Sequence, residues 1–517
     1  MAHERSPLLR PLAAPTRAVV WVLLYCALVG LTLDNTHPYQ GDEVYYIKSA
    51  VGMLKADSIL VPQYDETIRL QRPILAYWLT ALGYKVFGIS LSAGRVPFLL
   101  VAAALLILLY RFALLLLPDR EFAYLAVVLL SSSMLFLLFS RVSMTDLPLA
   151  LFSTVALYFL CRGLLVPDRR QRDVWLAYLS MGAGFWAKGA QALLPLAAVT
   201  AYLILARPLG ARASLRTMFA PRHLLTFVLV ASPWYIYPSL AYPVQLGSQL
   251  AQEAADNLGP GAATLLGHLP FHIGALVVHQ LPAIALAAWA WWRNRQIGLY
   301  APRLRPLAWY VGFSLAMFIL LFAHHRDRYL LLVVPALALI MAHVIHQNGV
   351  TRPAQRLAAV AAIAQIAAIC THSYVVGRPL HELVRYWEQN LRGDLAAHAL
   401  ADRETTLDTG DRPRAPGPLP GPHTVRADLG RTSGSFSRLR GRQAGRTRIE
   451  ARARARSAHG DEAGIRPARA ARTPRRGERG KSDVRGARRA RRRGAPERPQ
   501  RGDDRVSTSR PARVKLA

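Results

Sequence analysis

The chain has 517 residues, with 64 Lys and Arg against 31 Asp and Glu, which gives a formal net charge of +33. Such a charge suggests a nucleic-acid-binding protein, but a hydrophobic content of 52% excludes a disordered basic protein. The charge is also uneven, because about half of the basic residues lie in residues 391–517. A single soluble globular domain is therefore excluded, and the distribution of apolar residues has to decide the class.

Apolar runs dominate the first three quarters of the chain. They occupy residues 18–33, 96–117, 122–140, 147–166, 174–187, 190–206, 223–240, 270–292, 307–323, 329–347 and 357–376. Because a bilayer-spanning helix needs about 20 mostly apolar residues, these runs predict an all-α polytopic membrane protein with about eleven transmembrane helices. No small-x-small site follows the first run, so we predict an uncleaved anchor rather than a signal peptide.

The distribution of arginine predicts the orientation. With a cytoplasmic N-terminus, the predicted inner loops are rich in Arg, whereas the outer connections after the first are poor in basic residues. We therefore expect a multi-pass protein of the plasma (inner) membrane. The exception is the first outer connection, residues 34–95, which mixes charges with apolar residues at helical spacing. It predicts amphipathic helices at the membrane surface. Near its start it carries the acidic pair Asp42 and Glu43, which is costly near lipid unless it serves a function.

Ionisable residues gather on the predicted outer face, several of them at helix ends. They are Asp42, Glu43, Arg69, Arg72, Arg95, Arg141, Asp146, Lys188, Glu253, Asp256, His268, Arg326 and Arg328. A few carboxylates among several cations suit a phosphorylated, membrane-embedded substrate, because Arg and Lys neutralise phosphate while a carboxylate remains to abstract a proton. A transporter instead places ionisable groups near the middle of the bilayer, often in inverted repeats, and we see no such repeat.

An ordered series of motifs carries a family resemblance. The motifs are GDEVYYIKSAVGML, LQRPILAYWLTALGYKVFG, AGRVPFLL, SMTDLPLALF, WAKGAQALLP, SPWYI and HHRDRYLLLVVPALAL. Over residues 18–376 the chain resembles the polyprenyl-phosphate-sugar-dependent GT-C membrane glycosyltransferases, which include the protein O-mannosyltransferases and the bacterial aminoarabinose transferase that modifies lipid A. The resemblance implies a cavity facing the periplasm, with the acidic pair at its catalytic centre.

Two positions depart from the lipid A enzymes. Those enzymes usually read Glu-Lys-Pro where this chain has Gln71-Arg72-Pro73, so the cation is kept and the carboxylate is not. They also usually carry Arg at the position of Tyr45. The identity of the sugar and of the acceptor, which can be lipid A, a protein or another glycan, therefore stays open.

The chemistry assigns roles to individual residues. A sugar that leaves from a phosphate needs cations for the leaving group and one base for the acceptor, and a single displacement inverts the anomeric carbon. Adjacent helical residues point about 100° apart, so we expect Asp42 to act as the base and Glu43 to orient it or bind sugar. Asp146 is a second cavity carboxylate. The donor phosphate candidates are Arg72, Lys188 and Arg326, and the candidate substrate contacts are Arg95, Asp256, His268 and Tyr329.

Each of these residues also has a purely structural interpretation. Asp42 and Glu43 could cap a helix or form a surface salt bridge, and Asp146 could be an N-cap. Lys188 could extend to the membrane interface, and the cations beside Asp327 could form a local ion pair. A zinc site is not indicated, because the pairs His268–His272 and His324–His325 lack a third ligand at suitable spacing. The sequence leaves a divalent metal open without indicating one, and indicates no other cofactor.

The C-terminal segment 391–517 differs from the rest. It has no Trp or Tyr, a single Phe at 436, and mostly Arg, Ala, Gly and Pro, too little apolar material for a core. It could be a disordered extension, an arm that binds RNA or anionic lipid, or the product of a change of reading frame, which we favour. Translating the other two frames downstream of residue 390 tests that hypothesis.

The sequence thus predicts a transmembrane glycosyltransferase domain in residues 1–390. Its expected partners are a polyprenyl-phosphate-linked sugar donor, a lipid, protein or glycan acceptor, and membrane lipids, whereas nucleic acid is not expected. The alternative from another class is a transporter or flippase of lipid-linked sugars, which shares a basic cavity but needs no base.

Overall fold

A computed structural model describes most of the first three quarters of the chain. The described residues are 16–34, 42–64, 67–257, 262–295, 301–321, 326–376 and 389, with only the backbone of residues 256–257, 262–267 and 372–376. All of them belong to the unit Met1–Arg412, and Pro413–Ala517 forms a second unit. The predicted tail, residues 391–517, lies outside the described residues, so its character stays a prediction.

The described part of the chain is almost entirely helical. Its α-helices are α1 (Thr16–Gly30), α2 (Asp42–Lys55), α3 (Leu75–Phe87), α4 (Leu91–Leu116), α5 (Arg120–Ser131), α6 (Met134–Phe139), α7 (Asp146–Leu165), α8 (Arg170–Lys188), α9 (Leu194–Leu205), α10 (Ala211–Met218), α11 (Pro221–Ala231), α12 (Pro233–Ala241), α13 (Pro243–Asn257), α14 (Ala262–His279), α15 (Leu281–Asn294), α16 (Arg305–Leu321), α17 (Val334–Gln347) and α18 (Thr351–Val376). Short 3-10 helices span Pro167–Arg169, Gly189–Leu193 and Asp327–Leu332. A small antiparallel hairpin pairs β1 (Gln63–Tyr64) with β2 (Thr67–Ile68).

Each of the eleven predicted apolar runs coincides with one helix or with two helices broken at a polar residue or a proline. Run 122–140 is split where Ser133 caps α6 by accepting a hydrogen bond from the Phe136 amide at 3.3 Å. Proline stands at the first position of α12, where α11 and α12 meet at 53°, because proline cannot continue the preceding helix. The all-α prediction is therefore confirmed. The number of helices does not by itself give the number of membrane crossings.

Length and composition identify candidate membrane spans among the described residues. Four stretches satisfy both criteria, and two bent helix pairs raise the number to six. The four are Leu91–Leu116, Asp146–Leu165, Pro167–Leu205 and Thr351–Thr371. Three shorter apolar helices, α1, α16 and α17, add to the apolar material. The chain is thus a multi-pass membrane protein, and the count of eleven spans stays a prediction.

The packing of α7 against α8 places two functional candidates at the same end of the bundle. The two helices run antiparallel, and at one end the guanidinium of Arg162 makes two hydrogen bonds, of 2.8 and 2.5 Å, to the carboxylate of Asp173. At the other end lie Asp146, the first residue of α7, and Lys188, the last residue of α8. Residues 42 positions apart in the chain are therefore neighbours.

The predicted amphipathic helices of the first outer connection are present as α2 and α3. Ile47, Ala50 and Val51 on α2 pack in one buried cluster with Ala81 and Tyr84 on α3. Gly83 lets α3 approach α4 closely, because a Cβ at this position would lie 2.0 Å from the carbonyl oxygen of Ala93. The β1–β2 hairpin lies between the two helices and leads into the segment that carries Arg69 and Arg72.

Candidate active site

A polar cavity lies where the start of α2, the segment before α3, the start of α7, the end of α8 and the 3-10 helix Asp327–Leu332 converge. Its lining residues are Asp42, Tyr46, Arg69, Arg72, Met144, Thr145, Asp146, Lys188 and Arg328. Six of them are charged, namely four cations and two carboxylates, so the lining carries an excess of positive charge. Of the predicted site residues, the structure brings Asp42, Asp146, Arg72 and Lys188 together here.

Asp42 forms an ion pair with Arg328. The carboxylate belongs to the first residue of α2 and its side chain is 42% exposed, whereas the side chain of Arg328 is only 6% exposed. The bond joins Oδ2 of Asp42 to Nη1 of Arg328. An accessible carboxylate therefore stands at the edge of the cavity, beside a guanidinium that is held in place by burial.

Asp146 and Lys188 form a second ion pair, deeper in the protein. Lys188 Nζ donates to Asp146 Oδ1 at 2.6 Å, and both side chains are 4% exposed. Nζ also lies 4.5 Å from the centre of the Tyr329 ring, a cation–π distance. Lys188 thus does not extend to an interface, and the residue at the N-cap of α7 is Thr145 rather than Asp146. Among the described residues, Oδ2 of Asp146 has no hydrogen-bond partner.

Two arginines enter the cavity from the segment that follows the β1–β2 hairpin. Arg72 forms an ion pair with Glu253 of α13. The guanidinium of Arg69 stacks 4.0 Å above the ring of Tyr45, and its Nε donates to the Tyr77 hydroxyl at 3.3 Å. Both guanidinium groups are therefore oriented by contacts with other segments before any substrate binds.

Tyr46 adds a neutral hydroxyl to the lining. It lies four residues after Asp42, which places both side chains on one face of α2. Burial raises the pKa of the Tyr46 hydroxyl, although the nearby Arg72 opposes this shift. The hydroxyl therefore stays protonated and can donate a hydrogen bond to an anionic oxygen.

Glu43 and Arg95 form a buried ion pair outside the cavity lining, and both side chains are fully buried. Glu43 Oε1 accepts from Arg95 Nε at 2.8 Å and from the Ser143 amide at 2.7 Å, while Oε2 accepts from Arg95 Nη2 at 2.6 Å. Arg95 Nη1 donates to the carbonyl of Leu33 at 2.6 Å. The pair thus joins the turn after α1, the start of α2, α4 and the loop before α7.

The structure leaves the other predicted contacts outside the cavity lining or outside the described residues. Arg326 precedes the 3-10 helix and is not among the lining residues. Arg328, two residues later, lines the cavity instead. Tyr329 contacts Lys188 through its ring and is not among the lining residues. His268 is buried on α14. The side chain of Asp256 is outside the described residues, as are His324 and His325.

The alternative interpretation, a local ion pair between Asp327 and its flanking arginines, does not describe the structure. Asp327 instead pairs with His279 of α14 at 3.0 Å, which leaves Arg328 to pair with Asp42. In the described ranges, no group of three His, Cys, Asp or Glu side chains could hold a metal ion.

The sequence alone assigned no role to four residues that line the cavity or contact its lining, namely Tyr46, Arg69, Glu253 and Arg328. Tyr46 had a usable signal, since it follows Asp42 at the i, i+4 spacing of a helix face. Arg328 lies in the same motif as Arg326, but the sequence gives no orientation within a 3-10 helix. Arg69 and Glu253 depend on contacts between distant segments, which spacing along the chain does not show.

Comparisons with known proteins agree with the resemblance inferred from the motifs. The family model described as dolichyl-phosphate-mannose-protein mannosyltransferase matches residues 71–237. In its fold the chain is similar to ArnT from Cupriavidus metallidurans bound to undecaprenyl phosphate, with a TM-score of 0.55, 17% identity, and coverage of 77% of this chain and 80% of that one. The apo structure of that protein gives the same TM-score at 16% identity, covering 73% of this chain and 76% of that chain.

Curated relatives match over part of their length. The chain is 26% identical over 239 residues to an undecaprenyl phosphate-alpha-4-amino-4-deoxy-L-arabinose arabinosyl transferase of Proteus mirabilis, which covers 44% of this chain and 42% of the relative. It is 24% identical over 345 residues to the enzyme of that name from Pectobacterium atrosepticum, covering 63% of this chain and 58% of the relative. An uncharacterized protein of Aquifex aeolicus is 29% identical over 202 residues, 39% of each chain.

The chain therefore spans about two fifths to three fifths of the length of these curated relatives. The resemblance to GT-C membrane glycosyltransferases and the corresponding fold are confirmed.

Proposed function

We propose that the chain is an integral-membrane glycosyltransferase that moves a sugar from a polyprenyl-phosphate carrier to an extracytoplasmic acceptor by a single inverting displacement. The observation that carries this proposal is the accessible carboxylate of Asp42 in a cavity lined by four cations. We place the protein in the plasma (inner) membrane with its N-terminus in the cytoplasm, so that the cavity faces the periplasm. The acceptor is a lipid, protein or glycan, as the sequence left open.

The charge of the cavity suits the leaving group. A polyprenyl-phosphate sugar is a phosphodiester with one negative charge, and departure of the sugar leaves a phosphomonoester that gains a second one. Interactions that strengthen as this charge develops accelerate the reaction, because they stabilise the transition state more than the ground state. The excess of cations over carboxylates among the lining residues supplies such an interaction. We therefore assign Arg72, Lys188 and Arg328 to the donor phosphate.

Asp42 is the base in this proposal. The acceptor hydroxyl attacks the anomeric carbon, the bond from that carbon to the phosphate oxygen breaks, and Asp42 takes the proton of the hydroxyl. The side chain of Asp42 is 42% exposed, whereas that of Asp146 is 4% exposed and holds Lys188. Exposure therefore favours Asp42 as the group that an acceptor reaches. Asp146 Oδ2 remains to accept a hydrogen bond from a sugar hydroxyl.

Glu43 supports Asp42 without touching substrate in this proposal. It follows Asp42 at the start of α2, and its carboxylate is fixed by Arg95 and by the Ser143 amide. We infer that this buried ion pair and its hydrogen bonds hold the first turn of α2 in place. We accordingly treat Glu43 and Arg95 as positioning residues for the base.

The names of the relatives support the class of donor. Those enzymes are named for a sugar carried on undecaprenyl phosphate, and we extend that carrier class to this chain. The alternative, a flippase of lipid-linked sugars, is not favoured, because the matching family model and the relatives with a named activity are transferases. Mass spectrometry of envelope glycolipids and glycoproteins, with and without the gene, identifies the acceptor and the sugar.

The test of the function is the substitution Asp42→Asn in the full-length protein. We expect sugar transfer in cells to fall by about 100-fold or more, the range for loss of a general base. Binding of undecaprenyl phosphate to the purified protein should remain, because the cations are intact. Retention of transfer by Asp42→Asn would contradict the assigned base. Absence of undecaprenyl phosphate binding in the unsubstituted protein would contradict the donor class.

A further inference from the structure

Helix α13 makes polar contacts with the segment that carries the cavity arginines. The side-chain amide of Gln249 donates from Nε2 to the carbonyl of Ile68 at 2.9 Å and accepts at Oε1 from the amide of Leu70 at 2.6 Å. These partners are 181 and 179 residues apart in the chain. The contact therefore couples two distant segments at a single side chain.

The two hydrogen bonds fix the orientation of the Gln249 amide. A backbone carbonyl only accepts and a backbone N–H only donates, so the amide oxygen and nitrogen cannot be exchanged. In an extended segment the carbonyl of one residue and the N–H two residues later point to the same side. Gln249 thus pairs with the backbone on either side of Arg69, as a neighbouring strand would.

One helical turn further along α13, Glu253 forms the ion pair with Arg72. Their side chains are 24% and 18% exposed, so neither group is fully buried. Glu253 is not itself a lining residue of the cavity, whereas Arg72 is. A carboxylate on α13 therefore already neutralises a guanidinium that the proposed function assigns to the donor phosphate.

Helix α13 has little apolar anchoring. Of its side chains from 243 to 255, Leu246 is the buried one, at 7% exposure, and most of the others are exposed. Apolar burial accounts for most of the stability of a packed helix, so a helix with one buried side chain depends strongly on its polar contacts. Gln249 and Glu253 are therefore major contacts between this helix and the segment that carries the arginines.

We propose that α13 is a clamp on the donor-phosphate subsite, in which Gln249 is a positioning residue and Glu253 is an exchangeable counter-ion of Arg72. This inference rests on the proposed function. Gln249 holds the backbone that presents Arg69 and Arg72. The donor phosphate displaces the Glu253 carboxylate from Arg72, and the carboxylate returns to Arg72 as the polyprenyl phosphate leaves.

The exchange follows from the charges. The guanidinium of Arg72 can form bidentate hydrogen bonds with a phosphate or with a carboxylate, and the donor phosphodiester carries one negative charge, as the Glu253 carboxylate does, so one anion can replace the other. Without a counter-ion, however, the product, which carries one more negative charge than the donor, would be held more tightly than the donor. A competing carboxylate on the same guanidinium weakens product binding and so favours release.

The experiment measures the dissociation constant of undecaprenyl phosphate for the full-length protein in lipid nanodiscs. Gln249→Leu keeps the size of the side chain and removes both hydrogen bonds, so binding should weaken by about 3- to 10-fold. Glu253→Gln keeps the shape and removes the competing charge, so binding should tighten by about 3- to 10-fold. The matched control is Gln252→Leu, an exposed glutamine on the same helix, which should stay within about twofold of the unsubstituted protein.

Opposite effects of two substitutions on one helix distinguish a clamp from a merely structural helix, whose damage would weaken binding in both cases. The thermal unfolding midpoint of each variant identifies general misfolding. The proposal is overturned if Gln249→Leu leaves the dissociation constant unchanged, or if Glu253→Gln weakens or does not change it. If the unsubstituted protein does not bind undecaprenyl phosphate, the proposed function fails and the clamp fails with it.

Discussion

Asp42 and Arg328 form an ion pair although they are 286 residues apart in the chain. Asp42 begins α2 in the first outer connection, and Arg328 lies on the 3-10 helix before α17. The pair therefore joins the segment that supplies the proposed base to a late segment that supplies a cation we assign to the donor phosphate. In the proposed function, Arg328 is the cation in direct contact with the base.

This ion pair predicts that substitutions of Arg328 and Arg326, which are two residues apart, have different effects on the binding of undecaprenyl phosphate. Arg328→Ala removes a buried cavity cation, so undecaprenyl phosphate should bind about 10-fold or more weakly, as expected for a lost charge-assisted hydrogen bond. Arg326→Ala changes a side chain outside the lining and should stay within about threefold. Both constants are measured on purified full-length protein. A larger effect at Arg326 would mean that the cavity cation has been assigned to the wrong arginine.

A second prediction concerns stability at the buried pair. Glu43→Gln leaves the Arg95 guanidinium buried without its counter-ion, which should cost about 3–5 kcal/mol of unfolding free energy. Asp42→Asn alters the neighbouring residue, whose carboxylate is 42% exposed, and should cost less than Glu43→Gln does, because the cavity that Arg328 lines also holds the Asp146 carboxylate. Unfolding by titration with a denaturing detergent measures both. Equal losses for the two variants would contradict the distinction between a positioning residue and a base.

Much of the helical architecture could be predicted, because membrane helices carry their signal locally. Each apolar run became a helix or a broken pair, since burial in lipid leaves the backbone few alternatives to helical hydrogen bonding. The break between α5 and α6 was harder to predict, because Ser133 acts through a cap that hydropathy does not register. Segments between the runs, such as α13, depend on a few polar contacts and carried no comparable signal.

The site was predictable where one motif supplies both position and chemistry. Asp42, Arg72, Asp146 and Lys188 each stand at a helix end or beside one, and all four line the cavity. Glu43 and Arg95 are equally suitable residue types for binding a substrate. In the structure, however, they are buried against each other, and this contact depends on the tertiary fold. The sequence cannot separate a charge that faces a substrate from a charge that faces another charge, because both occur in the same motifs.

The pair formed by Lys188 and Asp146 gives a third prediction. Lys188→Met removes a cavity cation and should weaken binding of undecaprenyl phosphate by about 10-fold or more. Lys85→Met, at an exposed lysine of α3, is the matched control and should have an effect of less than about twofold. Asp146→Asn should affect binding less than Lys188→Met does, because it leaves the cation in the cavity. A stronger effect of Lys85→Met would show that general surface charge, rather than the cavity, binds the phosphate.

Deletion of the C-terminal segment tests whether the proposed sugar transfer depends on the high net charge of the chain. The residues assigned to the donor all lie in the unit Met1–Arg412, so deletion of Pro413–Ala517 should leave binding of undecaprenyl phosphate within about twofold. Deletion also removes most of the arginine-rich segment, so a nucleic-acid-binding function would be lost with it. The measurement compares undecaprenyl phosphate and a single-stranded RNA as ligands of the full and shortened proteins. Salt-sensitive RNA binding by the full chain alone, combined with loss of sugar transfer in cells on deletion, would support an arm that serves the enzyme. Unchanged transfer would instead mean that the unit Met1–Arg412 performs the proposed transfer independently of that charge.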